Sequence, residues 1–224
     1  MPENMEKKVP QVTVKRLSRY LRVLERFQEK GYETVSSEEL ATELDVKPSQ
    51  LRKDLAYFGE FGTRGMGYSI PRLSEALRRI LGLHRQWAIA IIGVGNLGTA
   101  LLRYSGLNQK GFRVAALFDD DPEKVGSSRS GIHIYHMDDL PEVVKEKNIQ
   151  IVILTVPAPA ARAVTEEAIG SGVRALLNFA PVNIKTPPDV LAIQVDITSE
   201  LKILSHFLSG SEQKQVPEET GAAY

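Results

Sequence analysis

The residues Gly93, Val94, Gly95, Asn96, Leu97 and Gly98 form a G-x-G-x-x-G turn. An apolar run at 88–92 precedes it, and a helical pattern, a second apolar run at 114–118 and an acid, Asp119, follow. Asp119 lies 21 residues beyond Gly98, the strand-turn-helix-strand-acid context that gives a glycine hexamer meaning. Gly93 permits the tight turn, Gly95 lets the backbone approach a pyrophosphate, and Gly98 allows close packing of helix on strand. The open N–H groups at the helix start favour phosphate charge. Asp119 is placed to accept from an adenosine ribose and to repel a 2′-phosphate, which favours NAD(H) over NADP(H). The competing reading is an ordinary βα turn with no ligand.

Hydride transfer would need a positioned acid or base. The histidines are His84, His133, His136 and His206, and none falls at the end of a core parallel-strand candidate. No stretch remains for a second substrate domain. A small NAD-dependent dehydrogenase with a helical appendage is therefore the weaker alternative, and a protein that binds NADH or NAD as a signal is the stronger one. A third alternative is an α/β domain of the CoA-binding type, which Asp119 argues against. Cysteine is absent, which excludes disulfides, thiolate metal sites and cysteine nucleophiles, and no metal site is expected. That composition suits a reducing cytoplasm. Neither a membrane-length apolar run nor a signal leader is read in the chain.

The elements that must position this turn divide the 224 residues in two. Residues 1–86 hold 16 Lys and Arg against 12 Asp and Glu, a net of +4, and the remainder balances it at −4. Residues 1–10 read as a loose leader. Leu17, Tyr20, Leu21, Leu24 and Phe27 then recur at helical spacing, with Lys15, Arg16, Arg19, Arg22 and Arg26 off the stripe as a basic face. Ser36 with Glu39 fits a capping box. Asp45-Val46-Lys47 breaks the chain, and a third helix over 49–58 carries Leu51, Leu55 and Phe58 on one face. This is a helix-turn-helix pattern, and Ser49, Gln50, Arg52 and Lys53 lie on the exposed side of its second helix. Residues 58–68 carry four glycines, three aromatics and Arg64, the composition of a tight hairpin. A hairpin after a helix-turn-helix is a wing, with Arg64 near its tip for a minor groove or a phosphate. A helix over 73–81 leads to a boundary at 83–86. A small bundle with a solvated charged face is the alternative.

These motifs together resemble the Rex family of redox-sensing transcriptional repressors. The likeness rests on RKDLAYFGEFGTRGMGY (52–68), IIGVGNLGTAL, FDDDPEKVG (118–126), LTVPA (154–158) and LNFAP (177–181), collinear from about Val14 to Leu208. It implies a homodimer with an N-terminal winged helix, a Rossmann-like doubly wound parallel sheet and a C-terminal helix exchanged between subunits. It also implies binding to palindromic operator DNA when NADH is low and release when NADH binds. Carried onto this chain, Arg52 and Lys53 sit on the recognition helix and Arg64 on the wing. The glycine turn holds the pyrophosphate, Asp119 and Lys124 lie by the adenosine, and the backbone of Thr155, Val156, Pro157, Asn178, Phe179, Ala180 and Pro181 lines the nicotinamide side. Arg22, Tyr104 and Asp196 match a pairing switch in which Asp196 bonds either Arg22 or Tyr104. Ile197 stands where some relatives carry an aromatic.

The rest of the chain alternates strands and helices: strands at 132–135, 149–155 and 173–177, and helices at 138–147 and through 169. The strand ends at Thr155 and Asn178 run into loops, where an open α/β sheet presents its ligand. Asn178 suits a carboxamide or a simple turn. Residues 196–208 read as a closing helix with more apolar surface than one sheet edge covers, so a partner subunit is expected. The expected division is 1–86 winged helix, 87–195 dinucleotide domain, 196–208 exchanged helix and 209–224 polar tail.

Overall fold

The computed structural model describes residues 9–63, 65–109 and 111–212. The leader up to residue 8, the Arg64 wing position and the tail beyond residue 212 lie outside the described residues. The chain forms two compact units, Met1–Gln86 and Trp87–Tyr224.

The first unit contains α1 (Gln11–Glu29), β1 (Thr34–Val35), α2 (Ser37–Leu44), α3 (Pro48–Ala56), β2 (Gly62–Thr63), β3 (Gly67–Ser69) and α4 (Ile70–Ile80). Ser36 and Glu39 close the capping box reciprocally, satisfying two otherwise unbonded N–H groups of α2. Asp45 ends α2 in the left-handed region (φ 52°), and Pro48 opens α3 where its missing N–H costs nothing. β2 and β3 pair antiparallel as the wing, and β1, which the sequence pattern did not suggest, adds to β3 in the order β1-β3-β2. Gly67 (φ +77°) is required there, since a Cβ would overlap the Val35 carbonyl oxygen. Tyr68 plants the wing in the same core as Leu17, Leu24, Leu51 and Leu77.

The basic face expected on α1 is largely spent inside this unit. Arg16 clamps Asp54 of α3 through Nε and Nη2 (2.5 and 2.7 Å), Arg19 donates to the Leu44 carbonyl, and Arg26 pairs with Glu43. Helical periodicity places a side chain on a face but does not say what the neighbouring helix offers it.

The second unit carries β4 (Trp87–Ile92), α5 (Asn96–Arg103), α6 (Ser105–Gln109), β5 (Phe112–Phe118), β6 (Ser128–Arg129), β7 (Ile132–Tyr135), α7 (Leu140–Glu146), β8 (Ile149–Leu154), α8 (Ala158–Gly170), β9 (Ala175–Asn178), β10 (Leu191–Gln194) and α9 (Ile197–Glu212). The strand order is β10-β9-β8-β4-β5-β7-β6, parallel except for the β6 edge. Ala88, Ala90 and Ile92 face a core with α7 and α8, while Ile89 and Ile91 face another with Leu102 of α5. Alternate side chains thus feed opposite faces, the geometry of a doubly wound sheet. The sequence reading missed β10 and β6, which are short and exposed, and ended α9 four residues early. Along α9, Ile197, Leu201, Ile203, Leu204, Phe207 and Leu208 are 58–70% exposed.

The Asp54 clamp yields a pH test. Burial pushes its carboxyl up, but hydrogen bonds from Arg16, Tyr20 and Gln50 outweigh that and hold it below the ordinary 3.8. A depressed folded-state pKa contributes stability that is complete above the unfolded value and lost as pH falls through the folded one. Opening free energies of α1 and α3, read by amide hydrogen exchange, should therefore fall between about pH 5 and about pH 2 more steeply in the wild type than in Asp54→Asn. At neutral pH the substitution should cost the unit about 3 kcal/mol, because Arg16 loses its buried partner.

Candidate functional site

β4 is the topological switch point: the chain leaves it toward β5 on one side and returns to β8 on the other. An open α/β sheet opens its crevice at the carboxyl ends of such strands. There Gly93 takes φ +96° and donates its N–H to the Phe118 carbonyl at 2.8 Å. The Thr155 hydroxyl reaches across from the end of β8 and donates toward the Gly93 and Ile92 carbonyls (2.6 and 3.0 Å). The sequence reading used only the backbone at Thr155, so this side-chain clip was missed. Gly98 lies in the first turn of α5, and a Cβ on it would overlap the Gly93 carbonyl oxygen. A Cβ on Gly95 would meet nothing within 4 Å. Two of the three glycines are thus required by packing, and the third leaves the backbone open to an approaching group. Asn96 and Leu97 are exposed beside it, at the start of α5 where N–H groups lack intrahelical acceptors.

Asp119, at the end of β5, joins the turn directly. Its Oδ2 accepts the Val94 N–H at 2.7 Å, and its Oδ1 accepts the Asp121 N–H at 3.0 Å. Lys124 approaches Asp119 and Asp121, each at 3.2 Å. Burial acts to lower the Lys124 pKa, yet the two carboxylates prevail and raise it, so the ammonium stays charged. With the Val94 and Asp121 amides and both Lys124 contacts (3.2 and 3.4 Å), the roughly four lone-pair sites of the Asp119 carboxylate are all engaged, so a further donor would replace one of the longer Lys124 contacts.

The facing wall is built from the loops after β8 and β9. Pro157 precedes α8, and the Phe179 N–H donates to the Leu154 carbonyl, tying the two loops together. Asn178 is 1% exposed and both of its amide donors are engaged. Nδ2 donates to the Val182 carbonyl and to Gln194 Oε1 (2.9 and 2.6 Å), and Oδ1 accepts the Ala180 N–H (2.9 Å). The side chain has no donor left for a carboxamide, so its role is to shape the loop through Ala180 and the exposed Pro181. Gln194 on the unforeseen β10 completes that frame by donating to the Ala180 carbonyl. Tyr104 stands 61% exposed at the C-cap of α5. The Asp196 carboxylate accepts from the Ser199 N–H and hydroxyl (3.1 and 2.6 Å), capping the first turn of α9. Arg22 is exposed on α1 of the other unit.

In the first unit, α3 shows Ser49, Arg52 and Lys53 to the outside, while Leu51 and Leu55 are buried. Arg52 is engaged with the Ser37 hydroxyl (2.9 Å) and Glu38 (3.3 Å) at the start of α2. Gln50 donates to Asp54, so its amide nitrogen turns toward α1 and not outward. α3, the start of α2 and the wing border a cleft of about 830 Å³. Sequence reasoning missed Asp54. The available signal was an acid between Leu51 and Leu55 on an otherwise apolar face.

Comparisons with known proteins agree with this geometry. Residues 8–56 match the family model "Putative DNA-binding protein N-terminus", and residues 84–182 match "CoA binding domain". A curated relative from Syntrophomonas wolfei, named a redox-sensing transcriptional repressor Rex, is 48% identical over 90% of this chain and 96% of its own. One from Desulfitobacterium hafniense with the same name is 44% identical over 88% and 94%. The crystal structure of RSP with β-NAD+ and operator DNA superposes with TM-score 0.88 at 32% identity, covering 95% of this chain and 99% of that one. RSP with β-NADH gives TM-score 0.84 at 30% identity, over 93% and 98%. The likeness spans both units, the winged helix as well as the glycine-turn sheet, and the chain belongs to the Rex family of redox-sensing transcriptional repressors.

Proposed function

We propose that this chain represses transcription by binding palindromic operator DNA through its winged helix, and releases it when NADH binds at the β4 switch point. It is a regulator and not an enzyme. The observation that carries the reading is the pairing, in one Rex-family chain, of an outward-facing α3 with a glycine turn whose Gly95 faces open space and whose Val94 amide meets Asp119. The turn fits a dinucleotide: Gly93, Val94, Gly95, Asn96, Leu97 and Gly98 would hold the pyrophosphate, with Asp119 and Lys124 by the adenosine. Thr155, Val156, Pro157, Phe179, Ala180 and Pro181 would line the nicotinamide side. NADH supplies the signal because its ring is neutral when reduced and cationic when oxidised. Ser49, Arg52, Lys53 and Arg64 would contact DNA, phosphates fixing register and base edges giving specificity.

The working form is a homodimer. Six large apolar side chains along α9 stand open, and burying them is worth on the order of 10 kcal/mol before association costs. Exchange of α9 between two copies covers them. A ligand shifts a two-state dimer only by its differential affinity for the two arrangements. Asp196 is the discriminating group, since a carboxylate responds differently to a cationic and a neutral ring, and its change of partner between Tyr104 and Arg22 carries the signal. Among the described residues no helix is long and apolar enough to cross a membrane. A protein that acts on operator DNA works in the cytoplasm. The CoA-binding-domain match favours one second reading, a CoA receptor.

A gel-shift titration separates these readings. NADH should release the operator at concentrations where NAD and CoA do not, and CoA-driven release would overturn the dinucleotide reading. Asp196→Ala should still bind NADH but blunt release, whereas Arg52→Ala and Arg64→Ala should weaken operator binding with NADH affinity unchanged. For the turn, Gly98→Ala should abolish NADH binding and destabilise the second unit by about 1–3 kcal/mol, because the new methyl meets backbone that cannot move aside. Thermal melts with and without NADH read both effects.

A further inference from the structure

The strongest unassigned feature is the buried polar knot between α1 and α3. Asp54 of α3 is 1% exposed, and four donor groups converge on its two oxygens. Arg16 forks onto Oδ2 and Oδ1, Tyr20 donates its hydroxyl to Oδ2 at 2.7 Å, and Gln50 donates to Oδ1 at 2.9 Å. Arg16 also donates to the Thr13 hydroxyl at 3.3 Å, so the guanidinium is itself held. Stability alone does not call for this arrangement. Well-packed apolar residues in place of a buried ion pair commonly leave a protein as stable or more so. What such a pair supplies is a single geometry, because a planar fork meets a carboxylate in one orientation. Here it fixes rotation. At about 100° per residue, Asp54 on the inner side of α3 sets Arg52, Lys53 and Ser49 on the outer side.

We infer that Asp54 is the positioning residue of DNA recognition: clamped by Arg16 and Tyr20, it locks the rotation of α3 and joins α3 to α1 as one body. This rests on the reading that α3 contacts the operator. The same α1 carries Arg22, so the lock delivers any displacement of Arg22 to the recognition side chains without slack. Leucines alone would seat α3 but fix its rotation less tightly than a planar fork does, because apolar contact has no directional preference.

The test uses the full-length chain and two probes: a duplex enriched from a random library by the wild type, and an unrelated duplex of equal length. The apolar triple variant Arg16→Met, Tyr20→Phe, Asp54→Leu should fold and melt near the wild-type temperature. It should keep its affinity for the unrelated duplex, which phosphate charge governs, and lose about tenfold or more for the enriched one. NADH binding in the second unit should be unchanged. If the triple variant fails to fold, Arg16→Lys serves, keeping the charge but not the fork, and should lower the enriched-to-unrelated ratio by several-fold. A folded variant of either kind with the wild-type ratio overturns the lock, as does a loss equal on both duplexes. If the wild type enriches no duplex at all, the repressor reading fails and the lock falls with it. That result is distinguishable because it appears before any variant is made.

Discussion

Helix α5 begins almost in contact with the end of β4, and the second unit is arranged to permit it. The Gly93 carbonyl occupies the space where any side chain at position 98 would begin. The Thr155 hydroxyl then holds that carbonyl from the β8 side. Once this approach is fixed, the rest of the crevice follows. The first amides of α5 face outward at the switch point, Asp119 reaches the Val94 N–H, and the loops after β8 and β9 form the opposite wall. A methyl group at one position would push the helix off the strand and disperse all of these groups.

What the sequence revealed and concealed follows from the range of each interaction. The capping box at Ser36 and Glu39, the Pro48 start of α3 and the apolar run of β4 are local signals, and they were legible. So was the acid at 119, because its distance from the glycines is set by one helix and one strand. β10 was missed although Val190-Leu191-Ala192-Ile193 is an apolar run, because so short a run does not by itself distinguish a strand. Its contribution, Gln194 bracing the 178–181 loop, arises from pairing between segments far apart in sequence. Asn178 illustrates the same limit. Its residue type suited a ligand amide and a turn equally, and only the positions of Val182, Ala180 and Gln194 assign it to the frame. Arg16 was read as surface charge because its partner, Asp54, sits 38 residues away.

The electrostatics of the first unit now read differently from its composition. The first unit holds a net of +4, and Arg16, Arg19, Arg26 and Arg78 all have acceptors within it. The acids that pair with them are already counted in the net of +4, so the excess still draws DNA at long range while these four side chains stay committed to partners within the unit. On the proposed reading recognition would fall to a few side chains held in place, with Arg52 exchanging Glu38 for an incoming phosphate. Its contact with Glu38 is solvent-exposed on both sides, and such pairs are weak. Exchanging it for a phosphate would cost little, and a Glu38 left beside DNA would penalise imperfect docking. This combination favours selectivity over raw affinity.

Coupling NADH to DNA requires about 1–3 kcal/mol of difference between two arrangements, and it acts equally in both directions. A rigid core cannot supply that difference, because shifting packed side chains costs more than the signal carries. Exposed polar contacts can. Asp196 caps α9 through Ser199, with water at hand to replace either bond, so exchanging partners there uncovers no apolar surface. On the proposed switch the changeable contact would lie in solvent, while α1, which carries Arg22, is bound to α3 through Asp54. A switch of this kind needs softness at one carboxylate and stiffness at another, and the two acids differ in burial in the required sense.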